Sequence, residues 1–256
     1  MESKQSINDF VIKFANVNGT GSASANGMFA KAIFRMGIPV SPRHIFPSNI
    51  QGLPTWYEVR VSRDGYLGRR GGIDMMVSVN PQSFAKDVSE LDPGGYMLYD
   101  STKPLDLRHV RRDIRYLGIP LTEMCLREYS DARQRQLFKN VIYVGALAAL
   151  LNIDFAILKD LVSEQFKGKE KLITPNIQAL EMGHQYASTH FECPLGVHLK
   201  AGEQNPKHIE EFDHILMDGN TATALGAVYA GATVAAWYPI TPSTSVVDAF
   251  EKDCRR

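Results

Sequence analysis

Apolar positions along this chain come in two rhythms. Short, nearly continuous or alternating apolar runs stand at Asp9–Val17 (DFVIKFANV), 55–68 (TWYEVRVSRDGYLG, turning at Arg63, Asp64 and Gly65), 73–80 (IDMMVSVN) and 96–100 (YMLYD). Each has strand length and is followed by turn or helix-start residues, which predicts strands. Between the first two runs, Met28, Ala32, Ile33 and Met36 recur at helical spacing. Gly37 is the expected stop, and Ile38, Pro39 and Val40 open the next extended segment. Residues 137–166 are helical in character with a break at Asn152-Ile153-Asp154, where Asp154 suits the cap of a second helix. Residues 174–186 predict a further helix with Pro175 near its start. Strands interleaved with helices point to an α/β layer fold with a mostly parallel sheet.

The pattern changes after Phe191. Residues 193–220 mix Gly, Pro and both charge signs without sustained periodicity and read as a connection. From about Ile215 a second pattern opens: a helix at 221–231, a buried strand at 232–237, a loop, and a further helix start. About 40 residues fall below the roughly 50-residue lower end for independent domains, so this segment is expected to be the opening of a larger one.

Charge and composition narrow the function classes. The 256 residues carry 28 Lys and Arg against 28 Asp and Glu, so bulk charge supports neither nucleic-acid nor acidic-lipid binding. Basic pairs such as Arg111-Arg112 read as solvated faces. The apolar run at 141–151 is too short to cross a bilayer, and the polar start has no signal-peptide pattern, so a cytoplasmic, reduced location is expected. Cys125, Cys193 and Cys254 form no CxxC, and the seven histidines repeat no metal spacing.

Four short stretches invite chemistry. NGTGSASANG (18–27) has glycines at 19, 21 and 27, which is not the GxGxxG fingerprint of nicotinamide binding. Its small residues before a helix either offer N–H groups to an anion or form a bare packing turn. SNIQGLPTW (48–56) sets Asn49 and Gln51 beside Gly52 and Pro54, a fixed loop that either faces a neighbour, with Trp56 and Tyr57 as anchors, or bonds itself. Arg69-Arg70-Gly71-Gly72 is a basic turn able to meet a phosphate or carboxylate, or a plain surface loop. The fourth stretch, YPITPSTS (238–245), sets two prolines three apart among hydroxyls, which rules out a helix interior.

In its context, DGNTATALGAVYAGATVAAWYPITPSTS resembles the opening of the pyrimidine-binding domain of 2-oxoacid:ferredoxin oxidoreductases. PSNIQGLPTWYEVRVS and NVIYVGALAALLNID resemble the gamma domain that precedes it in the alpha subunit of the two-subunit enzymes. The wording is most like the 2-oxoglutarate branch. The resemblance implies a Rossmann-like gamma domain over residues 1–192, a linker at 193–214, and the first crossover of a pyrimidine-binding α/β domain at 215–256. It implies oxidative decarboxylation of a 2-oxoacid onto coenzyme A with ferredoxin as electron acceptor. Thiamine diphosphate with Mg²⁺ would sit in a site shared with a partner beta subunit, which would also carry an iron–sulfur cluster. Thr241 would donate to the substrate as the catalytic residue of this segment. Pro239 and Pro242 would hold the loop, with Tyr238 beneath it and Ser243 beside the substrate. Coenzyme A would meet Thr20, Gly21 and Ser22. The chain by itself is expected to be inactive. A non-catalytic assembly or regulatory module with the same gamma fold is the alternative.

Overall fold

In the computed structural model of the chain, residues 4–17, 19–45, 53–202, 215–240 and 243–255 are described. They divide into two compact units, Met1–Glu211 and Phe212–Arg256.

The first unit is built on a six-stranded sheet of order β3-β4-β2-β5-β6-β7. Its strands are β2 (Asp9–Val17), β3 (Val40–Ile45), β4 (Pro54–Ser62), β5 (Ile73–Ser78), β6 (Leu91–Asp100) and β7 (Arg115–Ile119). From β2 to β7 neighbours run parallel, while β4 and β3 add an antiparallel edge. The period of two in β2 sorts its side chains onto opposite faces. Phe10, Ile12 and Phe14 enter the large core with helix α1 (Ser22–Arg35) and helix α4 (Ala132–Leu151). Val11 and Ala15 enter a smaller cluster with Trp56, Met76 and Val88, the last from α2 (Phe84–Glu90). Both faces are therefore covered, which is why the central strands read as unbroken apolar runs.

Helices α3 (Leu121–Glu128), α5 (Phe155–Gln165) and α6 (Glu170–His190) complete the large layer. The break between α4 and α5 is where the sequence puts it. Asn152 takes the left-handed conformation (φ 59°) as C-cap, and the Asp154 carboxylate accepts the Ala156 N–H at 2.9 Å. Helices α4 and α6 approach closely at Gly145 and Gly183, where each glycine lies against the other helix's backbone.

Four expectations need correction. Helix α1 begins at Ser22, not Met28, because Gly21 (φ 77°) supplies the left-handed turn ahead of it and Gly27 is tolerated inside. Pro175 lies well inside α6, which begins at Glu170. The segment from Cys193 is no connection at its start: Leu195, Val197 and Leu199 are buried in the first unit's core. There β8 (Val197–His198) pairs with β1 (Ser6–Ile7), and Asn8 brackets Lys200 through both of its backbone groups, at 2.7 and 2.9 Å. In the second unit, α7 (Gly219–Tyr229) and α8 (Thr244–Cys254) form, but residues 232–237 are exposed and not strand. A strand is a pairing state, and the described residues of that unit offer no partner backbone.

Candidate functional site

The sheet reverses its direction of growth at β2. From there the chain runs through α1 to β3 and β4 on one side, then returns to β5 and continues to β6 and β7 on the other. The carboxyl ends of β2 and β5 therefore flank a topological switch point, where ligands of open α/β sheets bind. The glycine turn at residues 19–21 sits there, with Gly19 at φ 84° and Gly21 at φ 77°.

Three buried polar side chains hold this turn from behind. Asn26 Nδ2 donates to Asn16 Oδ1 at 2.9 Å, Tyr143 OH donates to Asn26 Oδ1 at 2.7 Å, and Asn16 Nδ2 donates to Tyr143 OH at 3.4 Å. The ring is closed, and burial raises the Tyr143 phenol far above its ordinary pKa, so it stays a neutral donor. Two further bonds fix the turn itself. Asn140 Nδ2 on α4 donates to the Thr20 carbonyl at 3.0 Å, and Thr20 Oγ1 donates to the Val17 carbonyl at 2.8 Å. A side chain at Gly21 would run into Leu137 of α4 as well as strain the backbone.

A cleft opens on each side of the turn. The first, about 330 Å³, lies between the turn, α3 and α4, and is lined by Thr20, Thr122, Cys125, Arg135, Lys139 and Asn140 among others. The second, about 230 Å³, is lined by Gly19, Gly21, Ser22, Asn26, His44 and Trp56 among others. Burial pushes the Cys125 thiol up to about 11, so the first cleft has no thiolate at neutral pH. At its edge, Asp100 at the end of β6 accepts from Thr122 Oγ1, from Thr102 Oγ1 at 2.7 Å and from Lys139 Nζ at 3.2 Å. Burial pushes the Asp100 pKa up, but the hydrogen bonds from Thr122 and Thr102 and the Lys139 charge together carry it below the usual carboxylate value.

Beside the second cleft, Asp87 is fully buried and accepts three hydrogen bonds. They come from Trp56 Nε1 at 2.9 Å, Ser78 Oγ at 2.7 Å and Ser83 Oγ at 2.8 Å. Burial raises its pKa in spite of these donors. Lys86 lies over the Trp56 ring, 4.2 Å from its centre.

The family model of pyruvate ferredoxin/flavodoxin oxidoreductase matches residues 11–186. The chain belongs to that family. Subunit alpha of 2-oxoacid:ferredoxin oxidoreductase 2 from Aeropyrum pernix is 24% identical over 95% of this chain and 43% of its own length. The KorC subunit of a 2-oxoglutarate synthase from Archaeoglobus fulgidus is 25% identical over 68% of this chain and 86% of its own. Among solved structures, the 2-oxoglutarate:ferredoxin oxidoreductase of Magnetococcus marinus matches 98% of this chain and 42% of its own at a TM-score of 0.81 and 25% identity. That structure holds 2-oxoglutarate, coenzyme A and succinyl-CoA. The chain thus spans under half the length of the alpha subunit and of the solved oxidoreductase it matches.

Within this chain the expected site residues scatter. Thr20 faces the first cleft, Gly21 and Ser22 the second. Thr241 and Pro242 lie outside the described residues, as do Asn49 and Gln51. Tyr238, expected beneath its loop, is 83% exposed. Ser243 directs its hydroxyl to the Tyr238 carbonyl at 3.0 Å and to the Ile240 carbonyl, so it closes the turn ahead of α8. Trp56 anchors Asp87, and Tyr57 meets His44 edge-on at 4.6 Å. Arg70 is engaged by Asp74, a fully buried carboxylate, so the basic turn serves the fold. Arg111 is no solvated face: it donates to the carbonyls of Val88 (2.9 Å) and Leu91 (2.8 Å) and pairs with Asp113. His184 lies against Phe155 with the rings tilted at 52° and their centres 4.7 Å apart, and His190 bonds the Tyr186 carbonyl at 2.9 Å.

The residues that build the turn's surroundings were missed: Asn26, Asp87, Asp100, Thr122 and, on α4, Arg135, Lys139, Asn140 and Tyr143. The signal was present on α4. Arg135, Lys139 and Tyr143 are four apart and share one face of a helix whose continuation is wholly apolar.

Proposed function

We propose that this chain forms part of the alpha subunit of a thiamine diphosphate-dependent 2-oxoacid:ferredoxin oxidoreductase acting on 2-oxoglutarate. The reaction takes 2-oxoglutarate, coenzyme A and two oxidised ferredoxins to succinyl-CoA, carbon dioxide and two reduced ferredoxins. The observation that carries this reading is the overlay of 98% of the chain on an oxidoreductase that holds 2-oxoglutarate, coenzyme A and succinyl-CoA.

The two units have different parts in it. The first presents the glycine turn and its clefts, pinned so that the turn's amides stay aimed, and this is the contact for coenzyme A. The second contributes the 238–245 loop, with Pro239 and Pro242 restricting the backbone and Thr241 donating to the substrate carboxylate. Tyr238 and Ser243 flank that position. Thiamine diphosphate, when bound, supplies the carbanion-stabilising chemistry. Among the described residues no group of His, Cys, Asp or Glu is arranged to hold a metal. We assign Mg²⁺, with the diphosphate of the cofactor, and an iron–sulfur cluster to a partner beta subunit. No helix among the described residues is long and apolar enough to cross a membrane.

The test is the assembled enzyme: the subunit containing this chain, purified with its beta partner, assayed for ferredoxin reduction with 2-oxoglutarate, pyruvate and 2-oxoisovalerate. The highest kcat/KM is expected for 2-oxoglutarate, with strict dependence on coenzyme A. Preference for another 2-oxoacid overturns the substrate, and turnover without a partner overturns the assembly. Thr241→Val keeps the β-branched shape and removes one hydrogen bond to a charged group, so kcat/KM should fall roughly 10- to 100-fold. Unchanged kinetics in that variant would make Thr241 a turn residue only.

A further inference from the structure

We propose that the segment Lys4–Asn8 is a releasable strap that anchors the connection toward the second unit on the body of the first. The chain between Leu195 and Lys200 is gripped from two sides, and the grips alternate. On one side the Leu195 and Leu199 amides donate to the carbonyls of Leu150 and Leu151 at the end of α4, at 2.8 and 2.9 Å. Asn152 Nδ2 donates to the Leu199 carbonyl at 3.0 Å from the same side. On the other side the Gly196 and His198 carbonyls accept from the Ser6 and Asn8 amides at 2.9 and 3.0 Å. Asn8, fully buried, then takes both backbone groups of Lys200. Gly202 is the last described residue of the first unit, so this double grip sits at the root of the connection.

Three features make the strap separable from the body it lies on. Asn8 holds φ 55°, a left-handed corner between β1 and β2, so β1 joins β8 in a two-stranded sheet outside the six-stranded one. Gly196 faces the strap's backbone: a Cβ there would lie 2.5 Å from the Lys4 carbonyl oxygen, so the strap seats only against a residue without a side chain. At its far end the Lys4 ammonium pairs with Asp92 at 2.9 Å and with Asp74. Asp74 is fully buried but does not depend on the strap, because Arg70 and the Val11 N–H (2.7 Å) also hold it. The Asp92 side chain is part-exposed and returns to water when Lys4 leaves. Lifting the strap therefore strands no buried charge. It costs a few hydrogen bonds and a partly screened ion pair, which is the scale of local opening and not of global unfolding. With the strap lifted, residues 195–199 are held on their α4 side alone and Lys200 joins the connection.

Residue-resolved amide exchange of the whole chain tests this, together with the rate of tryptic cleavage between Lys200 and Ala201, in wild type, Lys4→Met, Asn8→Gly and Gly196→Ala. Asn8→Gly keeps the left-handed corner and removes the bracket on Lys200. Gly196→Ala pushes the strap away without touching a bond to α4. In both, exchange at Lys200 and cleavage after it should quicken by roughly 10- to 100-fold, since both track the open population. Lys4→Met should quicken them by about 3- to 5-fold, the worth of a part-exposed ion pair. Salt at about 0.5 M should reproduce that effect in wild type and add nothing in Lys4→Met. The Leu195 and Leu199 amides, bonded to α4, and the Val11 amide of β2 should change by less than about threefold, which separates a lifted strap from a loosened fold. A rise at Leu195, Leu199 and Val11 equal to that at Lys200 would make the strap part of the core and overturn its release. Unchanged exchange and cleavage at Lys200 in Asn8→Gly and Gly196→Ala would overturn the anchoring. Salt acting equally on wild type and Lys4→Met would remove Lys4 from it.

Discussion

The spacing of α4 and α6 is set by two glycines, and one added methyl group should show how firmly. A Cβ built at Gly183 overlaps the Ile142 carbonyl, and one at Gly145 overlaps the Leu180 carbonyl, both far inside the 3.0 Å that such atoms essentially never breach. The obstacle in each case is backbone, so no rotamer change relieves it. For Gly183→Ala the helices would have to part by about an ångström or more, opening a core in which Ile142, Leu147 and Leu180 are fully buried. Overpacking costs typically about 1–3 kcal/mol, and a clash with rigid backbone belongs at the upper end, about 3 kcal/mol. At roughly 2–4 °C per kcal/mol for a domain of this size, Tm should fall by about 6–12 °C. The control is Gly27→Ala on α1, where a Cβ meets nothing within 4 Å. There the helix gains, by about 0.4–1 kcal/mol, because alanine restricts the unfolded chain. Thermal and urea unfolding followed by circular dichroism read both variants. A Gly183→Ala protein melting within about 2 °C of wild type would refute the close approach, because no side-chain adjustment removes that overlap.

Three further outcomes follow from the polar groups. Tyr143→Phe strands the Asn26 carbonyl oxygen in the core and should cost about 1–3 kcal/mol, read by urea midpoint at constant slope; a neutral result would mean that water replaces the phenol. Asp87 has a raised pKa, so the native state holds its proton more tightly, and stability falls as pH rises from the unfolded value near 3.9 through the folded one. Asp87→Asn removes that loss and keeps an oxygen for Trp56. It should match or exceed wild-type stability at pH 7, whereas Asp87→Ala should lose about 1–3 kcal/mol; equal damage in both would refute the assignment. Asp100 has a lowered pKa, so its contribution is present above about pH 4 and is lost as pH falls through the folded value; Asp100→Asn should flatten the acid limb of a pH–stability curve.

What could be read from the sequence was whatever neighbours along the chain decide. Strand β2 forms over the predicted residues because its apolar run is buried on both faces, and the α4–α5 break forms because Asn152 and Asp154 carry both caps locally. The start of α1 was displaced because Gly27 looks like loop, while the deciding residue is Gly21 with its positive φ. Strand β7 is five residues with Arg115 exposed at its start, too short for a pattern, and it exists because β6 pairs with it. The 232–237 segment failed for the reverse reason: it has strand composition and no pairing strand among the described residues. At the site, the glycine turn was legible as small residues ahead of a helix. The side chains that pin it come from positions about 120 residues away, such as Asn140 to Thr20, and no local pattern encodes that convergence.

The two units also differ in how they resolve their apolar side chains, and this bears on where binding is built. The first buries a continuous core on one face of its sheet and a second on the other, so its turn and clefts rest on a frame that its own residues complete. In the second, Ala224 is the buried apolar residue among those described, while Tyr229, Val234 and Tyr238 are each more than 80% exposed. Preorganisation follows the same division. Thr20 is fixed by one bond from α4, donated by the buried Asn140, whereas Ser243 reaches back to the Tyr238 carbonyl of its own neighbourhood. On the function proposed above, a ligand of the glycine turn would find its site made, because the first unit's own side chains hold the turn.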